Sequence, residues 1–225
     1  MTLGIPDGVG TAHTGSGTSL NVTLSTAFIN DIIILQFSYN VAQVTGTTVS
    51  DTAGLNWIKR TVATRANSTT EEWFAVSLNV LTNDVVTAST ASTTAAISLV
   101  VFGITNAYIA SQNPYDTNSS LPATNTGTTT LNPSISGIST NYSQTAIILL
   151  LSTVGSPTVT LPAGFTQINI TIPTGPTAVA CYQIVNTPQS NLTETFTLGT
   201  SEAFSIVGDA IVAVQLLVYI IQQPI

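Results

Sequence analysis

Asp31-Ile32-Ile33-Ile34-Leu35-Gln36-Phe37-Ser38-Tyr39 is the stretch that decides the fold. It is rich in β-branched and aromatic residues, which fit a pleated backbone. Side chains of a strand alternate between two faces. Here both faces are apolar along most of the run, which predicts a central strand covered on both sides. Thr145-Ala146-Ile147-Ile148-Leu149-Leu150-Leu151 reads the same way, more than a hundred residues later.

Working outward from the first run, Leu20–Leu24, Leu55–Thr64, Glu71–Leu78, Asp84–Ser89 and Ala95–Ile104 read as further strands. Turn residues such as Ala53-Gly54 and Asn83-Asp84 separate them at the spacing of an all-β sandwich. Around the second run the same order recurs. Ala163–Ile168 matches Ala53–Ile58, Thr177–Asn186 matches Glu71–Asn79, Leu192–Thr197 matches Val85–Ala91, and Ala203–Val214 matches the run around Ala95–Ile104. Five segments in one order predict a duplicated β unit. No segment keeps a 3.6-residue period with caps at both ends, so almost no helix is expected.

The expected fold is therefore all-β: a jelly-roll or Ig-like β-sandwich built from two pseudo-repeated halves, 19–108 and 133–225, with an extended N-terminal donor strand. A polar linker, 109–132, separates the halves, and a strand with a Gly/Ser/Thr tether, 1–18, precedes them. Because each half is short, we expect one continuous sandwich to be shared between them.

Composition narrows the function. The 225 residues are 44% hydrophobic and only 6% charged, with three basic side chains and a net charge of −7. Such a chain has a real core but no basic face, which excludes nucleic acid and anionic membranes as partners. Ser and Thr supply roughly a quarter of the residues, above ordinary usage. Asn-x-Ser/Thr triplets occur at Asn21, Asn67, Asn118, Asn141, Asn169 and Asn191 and make N-linked glycans a candidate means of solubility. A hydroxyl-rich chain also produces such triplets by chance, so the motif alone does not establish occupancy. Few ion pairs are available to be lost in acid, so tolerance of low pH and an extracellular setting are expected.

Cys181 lies in a strand-like run and is expected to be a buried structural thiol. No basic start with an early apolar run marks a signal peptide. Ala210–Ile221 is too short to cross a bilayer as a helix and reads as a buried strand.

No catalytic set emerges from the residue pattern. His13 is the single histidine and sits in the expected tether, where a catalytic base would not be held in place. One His and one Cys cannot complete a zinc site. Glu71 and Glu72 are adjacent and point to opposite faces of a strand, whereas glycoside hydrolysis needs two carboxyls facing one cleft; they read as edge-strand charges. Asn113, Asp116 and Asn118 offer oxygen for calcium at loose spacing. Trp57, Trp73, Tyr115, Tyr142 and Tyr182 could form a sugar platform, although most lie in apolar runs that suit a core. The expected site list contains no catalytic residue, no metal ligand and no cofactor beyond sugar.

The first residues, Met1-Thr2-Leu3-Gly4-Ile5-Pro6-Asp7-Gly8-Val9, form a short apolar segment before the Gly/Ser-rich tether. Together with the duplicated pattern and the turns Ala53-Gly54-Leu55 and Ala163-Gly164-Phe165, the chain resembles β-sandwich modules of archaeal surface proteins and phage tail appendages. Its hydroxyl-rich, lysine-poor, triplet-bearing character resembles the thread filament subunits of archaea. The resemblance implies an extracellular filament subunit for adhesion or cell–cell contact. Identical copies would polymerise head-to-tail by donor-strand complementation, with Leu3, Ile5 and Val9 inserted into the next copy. Pro6 departs from the pattern, since proline donates no ladder bond. The alternative is a carbohydrate-binding module of a surface or tail protein.

Overall fold

The computed structural model describes residues 2–41, 46–94, 96–109, 113–171 and 175–214. These residues are all-β, and no helix occurs among them. The first half contributes β1 (Gly4–Thr14), β2 (Gly17–Leu24), β3 (Asp31–Tyr39), β4 (Thr48–Ser50), β5 (Ile58–Arg65), β6 (Ser68–Ser77), β7 (Asp84–Thr94) and β8 (Ile97–Thr105). They form a five-stranded antiparallel sheet in the order β1-β8-β3-β6-β5 and a three-stranded sheet in the order β2-β7-β4.

The second half contributes β9 (Ala123–Thr130), β10 (Ser134–Ile138), β11 (Thr145–Thr153), β12 (Val159–Thr160), β13 (Thr166–Thr171), β14 (Thr177–Val185), β15 (Leu192–Thr195), β16 (Thr197–Leu198) and β17 (Glu202–Val212). Its large sheet has the order β13-β14-β11-β17-β9, and two ribbons, β10-β15 and β12-β16, accompany it. The two large sheets share one topology. β3 and β11 are central, β6 and β14 flank them on one side, and β8 and β17 flank them on the other. β3, β6 and β8 thus hold the same places in one large sheet as β11, β14 and β17 in the other.

Every residue of β3 and of β11 is buried. The alternation explains why. Ile33, Leu35, Phe37 and Tyr39 face a core shared with Val22, Leu24, Val86 and Ala88 of the small sheet. Ile32 and Ile34 face the opposite way and meet Ala146, Ile148 and Leu150 of β11. Ile147, Leu149 and Leu151 then face a third core with Ile135, Phe196 and Leu198. The layers run small sheet, large sheet, large sheet, paired ribbons. Each such side chain contributes roughly 1.5–3 kcal/mol when fully buried, so these two strands organise most of the packing.

Several expectations are corrected by this arrangement. The halves are two sandwiches packed through their large sheets rather than one shared sandwich. The expected linker 109–132 contains β9, an edge strand of the second large sheet. Its Thr-rich residues are exposed or half-buried, so it lacks the apolar signature of an inner strand. The expected tether is largely strand, because β1 runs on to Thr14. Glu71 and Glu72 lie on an inner strand, between β3 and β5, and both are fully buried. Of the strand expected over Ala210–Ile221, β17 includes residues up to Val212, and 215–221 lie outside the described residues.

Candidate functional site

The N-terminal segment pairs with its own chain. β1 runs antiparallel to β8, with Gly4 opposite Thr105 and Thr14 opposite Ile97. Leu3 is buried in the core between the large sheets, and Ile5 packs against it. Val9 points outward and is 39% exposed. The expected single face for Leu3, Ile5 and Val9 fails because the register shifts on both sides of Asp7. At this irregularity Gly8 adopts φ +76°, and a Cβ there would lie 2.0 Å from the Ser25 carbonyl oxygen, so only glycine fits. Of the donor residues expected from sequence, Ile5 and Val9 lie on β1 in the sheet of their own chain, and Leu3 lies in its core.

Asp7 is the hub of this end. Its carboxylate accepts hydrogen bonds from the backbone N–H of Ala27, at 2.9 and 3.1 Å, and of Phe28, at 3.0 Å. Fully buried Asp31 lies beside it, and burial, reinforced by the Asp7 charge, pushes the Asp31 carboxyl up to about 7. A proton on Asp31 relieves the burial cost of its charge and the repulsion from Asp7.

The loop that Asp7 holds presents Phe28 and Ile29 to solvent, 58% and 56% exposed. A second loop is tied to it: Thr26 N–H donates to the Leu81 carbonyl at 2.9 Å, and Leu81 N–H donates to Thr26 Oγ1 at 2.9 Å. That loop exposes Leu78 and Val80. Beside Phe28 and Ile29 lies a recess of about 410 Å³, completed by Asn30, Thr105, Asn106, Ala107, Ile109 and Val214. Composition gave no warning of it, since isolated exposed hydrophobics cannot be told from core residues in a sequence.

A second polar cluster sits where the large sheets meet. Arg60 Nε donates to Asp209 Oδ2 at 2.7 Å, and the guanidinium lies 4.3 Å over the Tyr115 ring. Tyr115 Oη donates to Glu72 Oε1 at 2.9 Å. Burial pushes Asp209 up to about 6 even with Arg60 beside it, and raises Glu72 well above the ordinary carboxylate range. Glu71, on the other face of β6, accepts from Tyr39 Oη at 2.9 Å and Trp73 Nε1 at 2.8 Å, and Lys59 Nζ lies 3.0 Å from it. Adjacent Lys59 and Arg60 thus serve opposite faces, as adjacent Glu71 and Glu72 do. The two carboxyls do not share a cleft, as their adjacency predicted.

The other sequence candidates disperse. Trp57 and Trp73 belong to the first sandwich core, and Tyr115 and Tyr182 to the core between the large sheets. Tyr142 is exposed, so the five rings form no common platform. Asp116 is buried and accepts from the backbone N–H groups of Asn118, Asn141 and Tyr142, at 2.9, 2.9 and 3.3 Å. Its oxygens clasp two loops, and no metal-ligand group of three carboxylate, His or Cys residues occurs among the described residues. His13 is held on β1, with Nδ1 3.1 Å from Ser98 Oγ, and burial keeps its imidazole below the usual range. Cys181 is fully buried, and burial raises its thiol.

The six triplet asparagines all retain surface exposure. Asn21, Asn67, Asn141 and Asn191 are exposed, and Asn118 and Asn169 are half-buried. Asn118 Nδ2 donates to Asn141 Oδ1 at 2.9 Å, and Asn169 Nδ2 donates to Thr171 Oγ1 at 2.7 Å.

No protein-family model, curated protein or solved structure matches this chain. Among the described residues no helix is long and apolar enough to cross a membrane.

Proposed function

We propose that the chain is a structural subunit of an extracellular surface filament, assembling head-to-tail with identical copies and serving adhesion or cell–cell contact. The observation that carries this reading is a set of exposed apolar side chains: Phe28 and Ile29, which line a recess, and Leu78 and Val80 on the loop hydrogen-bonded to theirs. An apolar patch on a protein surface marks an interaction site. A contact between two different patches of the same chain grows a fibre when the rotation it imposes does not close into a ring. The strand β1 is already engaged in its own sheet, so on this reading the head-to-tail contact uses other residues.

The surface chemistry supports an extracellular place. Exposed triplet asparagines on both sandwiches offer sugar as the solubilising group in a charge-poor chain. Buried carboxyls that favour the protonated form suit an acidic exterior.

The test is direct. The full chain, purified and concentrated at pH 4 and pH 7, is examined by negative-stain electron microscopy and sedimentation velocity. Linear particles of uniform width are expected at one pH or both. A monomer at every concentration and pH overturns the reading.

A further inference from the structure

We infer that the recess beside Phe28 and Ile29 receives the segment Leu216–Ile221 of a second copy of this chain, a contact that rests on the filament reading and specifies its donor. Three observations point to this occupant. First, the segment Leu216-Leu217-Val218-Tyr219-Ile220-Ile221 is apolar at every position. An extended chain with both faces apolar has to be covered on both. Second, the described chain leads to the recess. Val214 forms part of its wall, and Val214 N–H donates to the Asn106 carbonyl at 2.9 Å. Third, among the described residues the ladder onto which Val214 leads is already filled. Residues 212–214 run antiparallel to 106–108, with Ala213 opposite Ala107. Continuation in that register leads onto β8, where Ile104 already pairs with Ile32 on one side and Gly103 with Asp7 on the other.

With β8 paired on both sides, the segment can instead add to the groove of a neighbour. The recess offers the phenyl ring of Phe28 and the aliphatic side chains of Ile29, Ile109 and Val214, with Asn30, Thr105 and Asn106 at its polar positions. This is the pattern of strand-in-groove recognition, in which alternate side chains fill the groove and polar groups meet the backbone. Val214 lies in the recess wall, two residues before the donor begins. In the filament a copy gives its segment to one neighbour and receives the segment of another. Two copies exchanging segments would close into a dimer, and a parent chain that sediments as a dimer without growing overturns the head-to-tail contact.

Complementary full-length variants test the idea. Phe28→Asp blocks the recess and leaves the donor intact; Val218→Asp blocks the donor and leaves the recess intact. Each alone is expected to sediment as a monomer, with circular dichroism like that of the parent chain. Mixed in equal amounts they are expected to form a one-to-one complex that does not grow. Filaments from both variants as readily as from the parent would overturn the donor assignment while the filament reading stands. If the parent itself never assembles, the filament reading fails, and a fluorescent peptide with the sequence of residues 215–223 decides the contact. Saturable binding to Val218→Asp that weakens at least tenfold when Phe28→Asp is added supports the recess as its site, and no binding overturns it.

Discussion

Arg60 on β5 and Asp209 on β17 form a 2.7 Å ion pair that crosses from the first sandwich to the second. Asp209 is almost completely buried; Arg60 is the base paired with its carboxylate, which also accepts from the Ala210 N–H at 2.8 Å. Removing one partner of a buried pair costs about 3–5 kcal/mol because the other charge is left uncompensated. Arg60→Met is expected to lose an amount in that range in urea unfolding at pH 8. Adding Asp209→Asn is expected to recover about half of it. Equal losses in the single and double variants would mean that the pair does not couple the halves.

Acidity should stabilise this protein. In the folded chain Asp31 is pushed from 3.8 up to about 7, and Asp209 from 3.8 up to about 6. The folded state therefore binds protons more tightly than the unfolded one. This stability is fully present below pH 4 and is lost as pH rises through 6 to 7. Asp7 faces Asp31, while Arg60, Glu72 and Asp116 surround Asp209, so both sites mix acids with at most one base. The melting temperature is expected to be about 5 °C higher at pH 4 than at pH 8, equivalent to roughly 2 kcal/mol. Asp31→Asn should raise the pH 8 value and flatten the profile. A melting temperature that falls on acidification would contradict the assignment.

Two glycines with the same backbone sign should respond differently to alanine. Gly8 and Gly54 both have φ +76°, but a Cβ at Gly8 strikes the Ser25 carbonyl oxygen, and at Gly54 it meets nothing within 4 Å. Gly54→Ala should cost about 1 kcal/mol, the conformational penalty alone. Gly8→Ala should cost at least about 2 kcal/mol more, because β1 must lift away from the loop at Ser25. Denaturant midpoints measured side by side check the ordering.

Sugar occupancy should follow the geometry of the triplets. Asn21, Asn67 and Asn191 are exposed on separate elements, whereas the side chains of Asn118 and Asn141 touch. Glycopeptide mass spectrometry of native material is expected to find sugar at the three separate sites and at no more than one of the touching pair. Bare asparagine throughout would remove the solubility argument.

Much of the fold could be read in advance because β3 and β11 carry unbroken apolar runs, and a strand covered on both faces has no other composition. Asp31–Tyr39 was bounded to the residue for the same reason. The edge strands were harder. β9 is Thr-rich and only partly covered, so nothing in 123–130 separates it from a loop. The apolar pattern puts Val9 on the face of Leu3 and Ile5, but a bulge at a glycine changes the alternation without altering that pattern, and Val9 points outward. Phe28 and Ile29 look like core residues in sequence, but their loop is held by the Asp7 carboxylate, twenty residues away, and by Leu81, and leaves both side chains exposed. The pairing of Arg60 with Asp209 spans the two repeats, which local sequence does not encode.

Asn106 receives little notice in the sequence, yet its side-chain amide donates to the Thr2 carbonyl at 3.0 Å while its own carbonyl accepts from Val214 N–H at 2.9 Å. Residues 2 and 214, the first and last described, are thereby gathered at one residue. A gene rearranged to begin in the hairpin between Arg65 and Ser68, with residue 214 joined to residue 2 by a short bridge, would still bring the described strands into the same neighbourhoods.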